Sequence, residues 1–217
     1  MTKPLKIDFV SDVMCPWCAV GLGGLEQALG RLGGVVDAEI QFHPFELNPA
    51  MPKGGQNLFE HLQQKYGQNK EQTLANQQRL KERAAEAGFV MARDEDSRMY
   101  NSFDAHRLLH WAGLEGRQAA LKHALLEAYF SRGENVEDHE VLVAAARTAG
   151  LDSEAAREVL ASGRYTDEVR AAEREWLEKG INSVPAVVID GRYLISGGQP
   201  AEMFEQAIRQ IVGERVI

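Results

Sequence analysis

The chain is poor in cysteine. Its 217 residues hold only two, Cys15 and Cys18, three positions apart. That excludes a stapled framework, because so small a ring restrains little of the unfolded chain. It also excludes an all-cysteine zinc site, which needs a second pair. Long apolar runs are missing as well: no stretch approaches the roughly 20 residues of a membrane-spanning helix. Positive charge is in deficit, 24 Lys and Arg against 32 Asp and Glu for a net charge of -8. Nucleic acid is thus an unfavourable partner, since phosphate backbones are held by clustered cations. The first residues run straight into an alternating pattern, without the apolar stretch and small-residue cleavage site of a secretory signal. Together these absences predict a cytoplasmic protein with neither a membrane nor a nucleic-acid partner. Two thiols in that compartment are normally reduced, so the pair reads as chemistry or metal binding rather than architecture.

Hydrophobic residues make up 44% of the chain and charged ones 26%. A sizeable core is therefore within reach without staples, as one domain or one domain carrying an inserted lobe. Leu5, Ile7 and Phe9 alternate with Lys6 and Asp8, which predicts a strand ending at Val10. Pro16 suits the first turn of a helix. Val20, Leu22, Leu25, Leu29 and Leu32 give that helix its apolar side, and Gly33 and Gly34 stop it. Ala38, Ile40 and Phe42 alternate with polar neighbours as a second strand. Strand, helix and strand form a βαβ unit, so the two strands should be parallel. Residues 57–162 carry helical periodicity and almost no strand signal, with helices expected over 58–66, 70–87, 103–111, 117–130, 138–148 and 153–160. A further helix follows over 165–179. Then Asp190-Gly191 separates two β-rich runs, the strongest short hairpin signal. Met203, Phe204, Ala207, Ile208 and Ile211 mark a final amphipathic helix. The expected fold class is α/β: one mixed sheet built from residues 1–56 and 163–217, interrupted by an all-helical insertion at 57–162.

Cys15 falls where the first strand gives way to a helix. Free backbone N–H groups and the helix dipole favour negative charge there, so its thiol should have a lowered pKa. The thiolate is the nucleophile of disulfide exchange. Cys18 lies one helical turn further in, on the same face and less exposed. On this reading Cys15 attacks and Cys18 resolves. Pro16 has no N–H, and Trp17 is expected to turn its indole aside. With no donor from either, the depression should be modest. Asp12 has two readings: buried near the pair, where it opposes the thiolate and can take the Cys18 proton, or tying down the turn by side-chain hydrogen bonds. Val184-Pro185 also has two: a cis proline offering the Val184 backbone to a bound substrate, or a trans proline at a strand's first residue.

These residues add up to a resemblance. Cys15-Pro16-Trp17-Cys18 after a strand and Ser183-Val184-Pro185 before an Asp-Gly hairpin, with helices between, are similar to the DsbA family, and more closely to its cytosolic FrnE-like branch. Phe42-His43-Pro44-Phe45-Glu46-Leu47-Asn48-Pro49, Asn101-Ser102-Phe103-Asp104-Ala105-His106-Arg107-Leu108 and Ser196-Gly197-Gly198-Gln199-Pro200 strengthen the likeness, which covers nearly the whole chain. The resemblance implies a thioredoxin-like fold with an inserted helical domain, a redox-active Cys15–Cys18 pair and a cis Pro185. It implies protein thiols and disulfides as substrates, with glutathione as a co-substrate, no other cofactor, and a monomer or homodimer. It also suggests that Asn101 and His106 line the cleft facing Cys15. Periplasmic members usually carry His where Trp17 stands, so a reductase or isomerase is implied rather than a strong oxidant.

Other signals are weaker. His106 and His110 lie four apart on a helix, but no third metal ligand follows at helical spacing. Gly21-Leu22-Gly23-Gly24 is not a dinucleotide fingerprint, since position 26 is Glu26. These glycines should instead allow close packing of the first helix. Leu121, Leu125 and Tyr129 read as a core stripe. One rival function is a glutathione-dependent transferase or isomerase of the kappa or hydroxychromene-carboxylate type, which shares the fold but typically carries Ser in place of Cys15. Another is a binding module that uses the dithiol as a soft metal ligand.

Overall fold

The computed structural model describes residues 2–214. Met1 and residues 215–217, the outer limits of the expected sheet-forming segments, lie outside the described residues. In chain order the elements are β1 (Lys3–Ser11), α1 (Pro16–Arg31), β2 (Val36–Pro44), β3 (Gln56–Asn57), α2 (Leu58–Tyr66), α3 (Lys70–Glu86), β4 (Arg98–Met99), α4 (Phe103–Leu114), α5 (Gln118–Leu126), a π-helical turn (Glu127–Ser131), α6 (His139–Thr148), α7 (Ser153–Ser162), α8 (Thr166–Glu178), β5 (Ala186–Ile189), β6 (Tyr193–Ser196) and α9 (Ala201–Glu214). The fold is α/β, as expected.

The sheet runs β2-β1-β5-β6. β1 and β2 are parallel, Ile7 opposite Ile40 and Phe9 opposite Phe42. β5 lies antiparallel to β1, and β6 antiparallel to β5. β1 is central, so its alternation fades into a buried run from Ile7 to Ser11. Leu5, Ile7 and Phe9 join the main core with residues of α1 and α9, while Val10 on the other face meets Trp176 and Ile181. The sheet is therefore covered on both sides, by α1 and α9 on one and α8 on the other. The main core continues without a break from the sheet into α4–α7. The hairpin turn forms as its sequence demands: Asp190 (φ 52°) and Gly191 (φ 65°) both take the left-handed conformation of a type I′ turn.

The helices start on residues chosen for it. Asn57, Asn69, Asp138 and Asp152 each accept a backbone N–H of the helix they open, and Asn69 completes a capping box with Gln72. Arg107 acts at the opposite end of α7: its buried guanidinium takes the carbonyls of Val159, Leu160 and Arg164 and pairs with Asp104 at 2.6 Å. The sheet edge is closed by Gln118, whose amide donates to Phe42 O (3.1 Å) and accepts from Phe42 N (2.9 Å), as a neighbouring strand would.

Two features depart from the sequence reading. The expected helix over 117–130 does not run through: it widens into the π turn at Glu127, where Arg132 N reaches back to Glu127 O. The Phe130 carbonyl is taken instead by Ala92 N of a passing loop, a local competition that periodicity cannot reveal. The pair β3 and β4, two residues each, is the other: β3 straddles the start of the stretch read as helical and β4 lies inside it. The glycines of α1 do permit close packing, as expected. A Cβ at Gly21 would lie 3.2 Å from Pro185, and one at Gly24 only 2.5 Å from the Gln199 carbonyl. Gly24→Ala should therefore force α1 off the loop before α9 and cost about 1–3 kcal/mol. The expected readout is a lower urea midpoint at unchanged m-value.

Candidate active site

Cys15 is the last residue before α1, with an extended backbone (φ -88°, ψ 113°) and Pro16 in the first turn. The helix thus opens at this residue, and the backbone of Trp17 and Cys18 favours negative charge on its sulfur. The Cys15 pKa is drawn below its ordinary value. The largest cause is the hydrogen bond from the Cys18 side chain; burial opposes it, the Cys18 and Trp17 backbone assists, and the charge of Asp12 works against it. Trp17 adds to the depression through its backbone, a contribution the side-chain reading left out. The indole does turn outward, 41% exposed. Cys18 is fully buried, and its pKa is pushed well above the ordinary value, first by burial and then by the bond to Cys15 and that sulfur's charge. The two thiols thus differ in the sense that attack by Cys15 requires.

Beneath the pair lies Asp12, 1% exposed. Its Oδ1 accepts Met14 N (3.1 Å) and its Oδ2 accepts Leu47 N (2.7 Å). Asp12 is thus buried, as one reading had it, and ties the turn, as the other had it, and its charge opposes a thiolate on Cys15. Burial alone would raise its pKa, but His106 and the two backbone N–H groups outweigh it and the net shift is downward. His106 Nε2 sits 3.1 Å from Phe45 O and 3.5 Å from Asp12 Oδ1, so the proton on that nitrogen is held chiefly by the carbonyl. The loop after β2 is pinned at each step: Phe45 by His106, Glu46 by Arg170 (2.5 Å), and Leu47 by Asp12 on one side and Lys65 on the other.

A fifth member of this cluster escaped the sequence reading. Lys122 of α5 is 1% exposed, and its charge couples to Cys18, Asp12 and Cys15. Burial pulls its pKa down, and those three neighbours resist. The signal was available: Lys122 shares a helical face with Leu125, Leu126 and Tyr129, an arc that should be buried.

Val184–Pro185 is cis. The Val184 carbonyl accepts the Cys15 thiol at 3.7 Å, and Gly197 N holds Pro185 O at 2.8 Å. Cys15, Pro16, Trp17 and Val184 form one wall of a cleft of about 820 Å³, whose opposite wall is α2 and α3. The other expected substrate residues lie elsewhere. Asn101 accepts Phe103 N at the start of α4 and does not line this cleft. His106 lies behind Asp12 and, with Lys122, lines a second cavity of about 620 Å³ on the far side of the cluster. His110 stacks on Tyr165, and among the described residues no group of His, Cys, Asp and Glu could hold a metal. No helix is long and apolar enough to cross a membrane among the described residues.

Comparison with known proteins agrees with this geometry. The chain is 40% identical to a probable DsbA oxidoreductase from Streptomyces coelicolor, at a TM-score of 0.91 over 97% of this chain and 91% of that one. It is 27% identical to the uncharacterized protein YwbO of Bacillus subtilis over 96% of both. The fold is also that of the cytosolic disulfide reductase DsbM from Pseudomonas aeruginosa, solved with GSH (17% identity, TM-score 0.64, 95% of this chain and 98% of that one). A family model for the DSBA-like thioredoxin domain matches residues 6–209, which contain every residue of the site just described, and the chain belongs to that family of thiol–disulfide oxidoreductases.

Proposed function

We propose that the protein exchanges disulfides with thiol substrates through a dithiol–disulfide cycle at Cys15 and Cys18. One observation carries this reading. The Cys15 sulfur sits at the opening of α1 on the wall of a cleft, with its pKa drawn down and that of its buried partner thiol pushed up. In the reduced protein the Cys15 thiolate attacks one sulfur of a substrate disulfide. A mixed disulfide forms, the substrate S–S bond breaks, and the first substrate thiolate departs. Two of the influences that keep the proton on Cys18, its bond to Cys15 and the repulsion of that thiolate, vanish at this point. Lys122 remains as the counter-charge of the emerging Cys18 thiolate, and Asp12, held as a carboxylate, is a poor base. Cys18 attacks the Cys15 sulfur, and its proton passes to the departing second substrate sulfur. Two electrons have then moved from the dithiol to the substrate. Glutathione or a protein dithiol restores the pair by the reverse steps.

Val184 bounds the cleft beside the sulfur, whereas Pro185 is buried behind it, so the Val184 backbone is the proposed contact for substrate. Asn101 and His106 act indirectly in this reading, Asn101 by seating α4 and His106 by steadying Asp12. The proposed direction is reduction or isomerisation in the cytoplasm, in keeping with the cytosolic reductase that shares the fold.

Cys15→Ser should lose all turnover of a disulfide substrate, while Cys18→Ser should accumulate a covalent adduct visible by intact mass. Full multiple-turnover activity in Cys18→Ser would instead favour a single-cysteine, glutathione-dependent transferase or isomerase. The buried cluster yields a second prediction. Thiolate absorbance of Cys15 followed against pH should move in opposite directions in two variants: to lower pH in Asp12→Asn, which removes an opposing negative charge, and to higher pH in Lys122→Met, which removes a supporting positive one. Shifts of the same sign in both would show that the cluster acts only through packing.

A further inference from the structure

The front cleft contains a buried cation that the exchange cycle does not use. Arg93 is 6% exposed and has no carboxylate within ion-pair distance among the described residues. Its guanidinium lies 4.6 Å from the Phe130 ring and 5.1 Å from the Tyr129 ring, both presented by the π turn. One nitrogen donates to Tyr129 Oη (3.0 Å) and approaches Met14 O (3.5 Å), the carbonyl just before Cys15. The Nε is buried with no acceptor. An ion stripped of water and left without a counter-charge is costly, and natural proteins pair such groups or use them. Arg93 lines the same cleft as Cys15, so the place for an anion opens toward the sulfur.

The rest of the cleft agrees. Three other cations line it, Lys65, Arg79 and Arg83, together with Glu82 and Glu86. The other cations are engaged: Arg83 with Glu86 (2.8 Å), Lys65 with Leu47 O and Asn48, and Arg79 with Asn76. Gln77, 7% exposed on the same lining, leaves its Oε1 buried without a donor. A guanidinium lacking a counter-charge, with one N–H unmet, and an amide oxygen lacking a donor are complemented by a ligand that carries a carboxylate and an N–H. A volume of about 820 Å³ is that of a small-molecule site, and a group must leave the surface to reach Arg93.

We infer that Arg93 is a specificity residue that binds the carboxylate of a low-molecular-weight, amino-acid-like thiol or disulfide while its sulfur meets Cys15. The inference rests on the exchange reading above and narrows its substrate class. The probe pair is glutathione disulfide and its tetraethyl ester, which differ in carboxylate charge, with bis(2-hydroxyethyl) disulfide as a neutral control. The bulk charge of the protein disfavours the anion, so an anion preference has to come from the cleft. In the wild type kcat/KM should favour the free acid over the ester by tenfold or more, with the difference in KM. Arg93→Gln should bring the ratio below about threefold. Arg79→Gln and Arg83→Gln should hold it within about twofold of wild type, and they decide the assignment should Arg93→Gln fail to fold. A wild-type ratio near one, a ratio retained in Arg93→Gln, or a collapse in Arg79→Gln or Arg83→Gln overturns the inference. Turnover of the neutral disulfide separates the two readings: its absence together with that of the others would remove the exchange function itself, whereas its presence with no acid preference removes only the role of Arg93.

Discussion

The Asp12 carboxylate is the constraint on which the site depends. It holds Met14 N and Leu47 N at once, and so it fixes the turn that delivers Cys15 to α1 relative to the loop that leaves β2. These two segments come from the ends of paired parallel strands, Ser11 lying opposite Pro44. One buried group thereby joins the nucleophile's turn to the loop that Lys65 of α2 and His106 of α4 also grip. A buried carboxylate is tolerable only when its lone pairs are filled and its charge is met. The backbone N–H groups, His106 and Lys122 meet those conditions, and each brings a different element to the site.

The same requirement accounts for the electrostatic asymmetry of the two thiols. Asp12 is close enough to oppose a thiolate on Cys15, and Lys122 favours one. What separates the cysteines most is the hydrogen bond that Cys18 gives Cys15 and the deeper burial of Cys18, with the backbone at the helix opening assisting Cys15. Cys15 stands at the helix opening, where N–H groups are free, whereas Cys18 is one turn inside and wholly buried. The internal charges tune both sulfurs, while the bond between them and their unequal burial set Cys15 as the nucleophile.

Local signals made most of the scaffold legible in the chain. Alternation at Leu5, Ile7 and Phe9, the start at Pro16 and the Asp190-Gly191 turn each depend on a few neighbouring residues, and each appears where the pattern placed it. The cysteine pair was legible for the same reason. Lys122 and Arg93 were not, because a charged residue is read as solvent-facing unless its partners are known, and these partners lie far away in sequence. Lys122 couples to residues more than a hundred positions earlier, and Arg93 rests on rings of a π turn that replaces a regular helix. His106 was legible as a site residue only through resemblance, and its place behind Asp12 became clear only once β2 and α4 were set side by side.

Burying Asp12, Lys122 and Arg93 costs desolvation energy that well-packed apolar side chains of similar volume would not, commonly several kcal/mol per ion before pairing. Stability therefore does not explain them. Asp12 and Lys122 offset part of each other's cost across the sulfurs, and the chemistry of Cys15 and Cys18 depends on the field between them. Arg93 has no such internal compensation: its hydrogen bonds go to neutral oxygens and its charge rests on ring faces, contacts that favour a cation by only about 0.5–2 kcal/mol. Of the three, it is the one whose charge is still unmet in the folded chain, and it is also the one that faces the cleft. A charge left unmet on the side where substrate enters is most simply completed by the substrate.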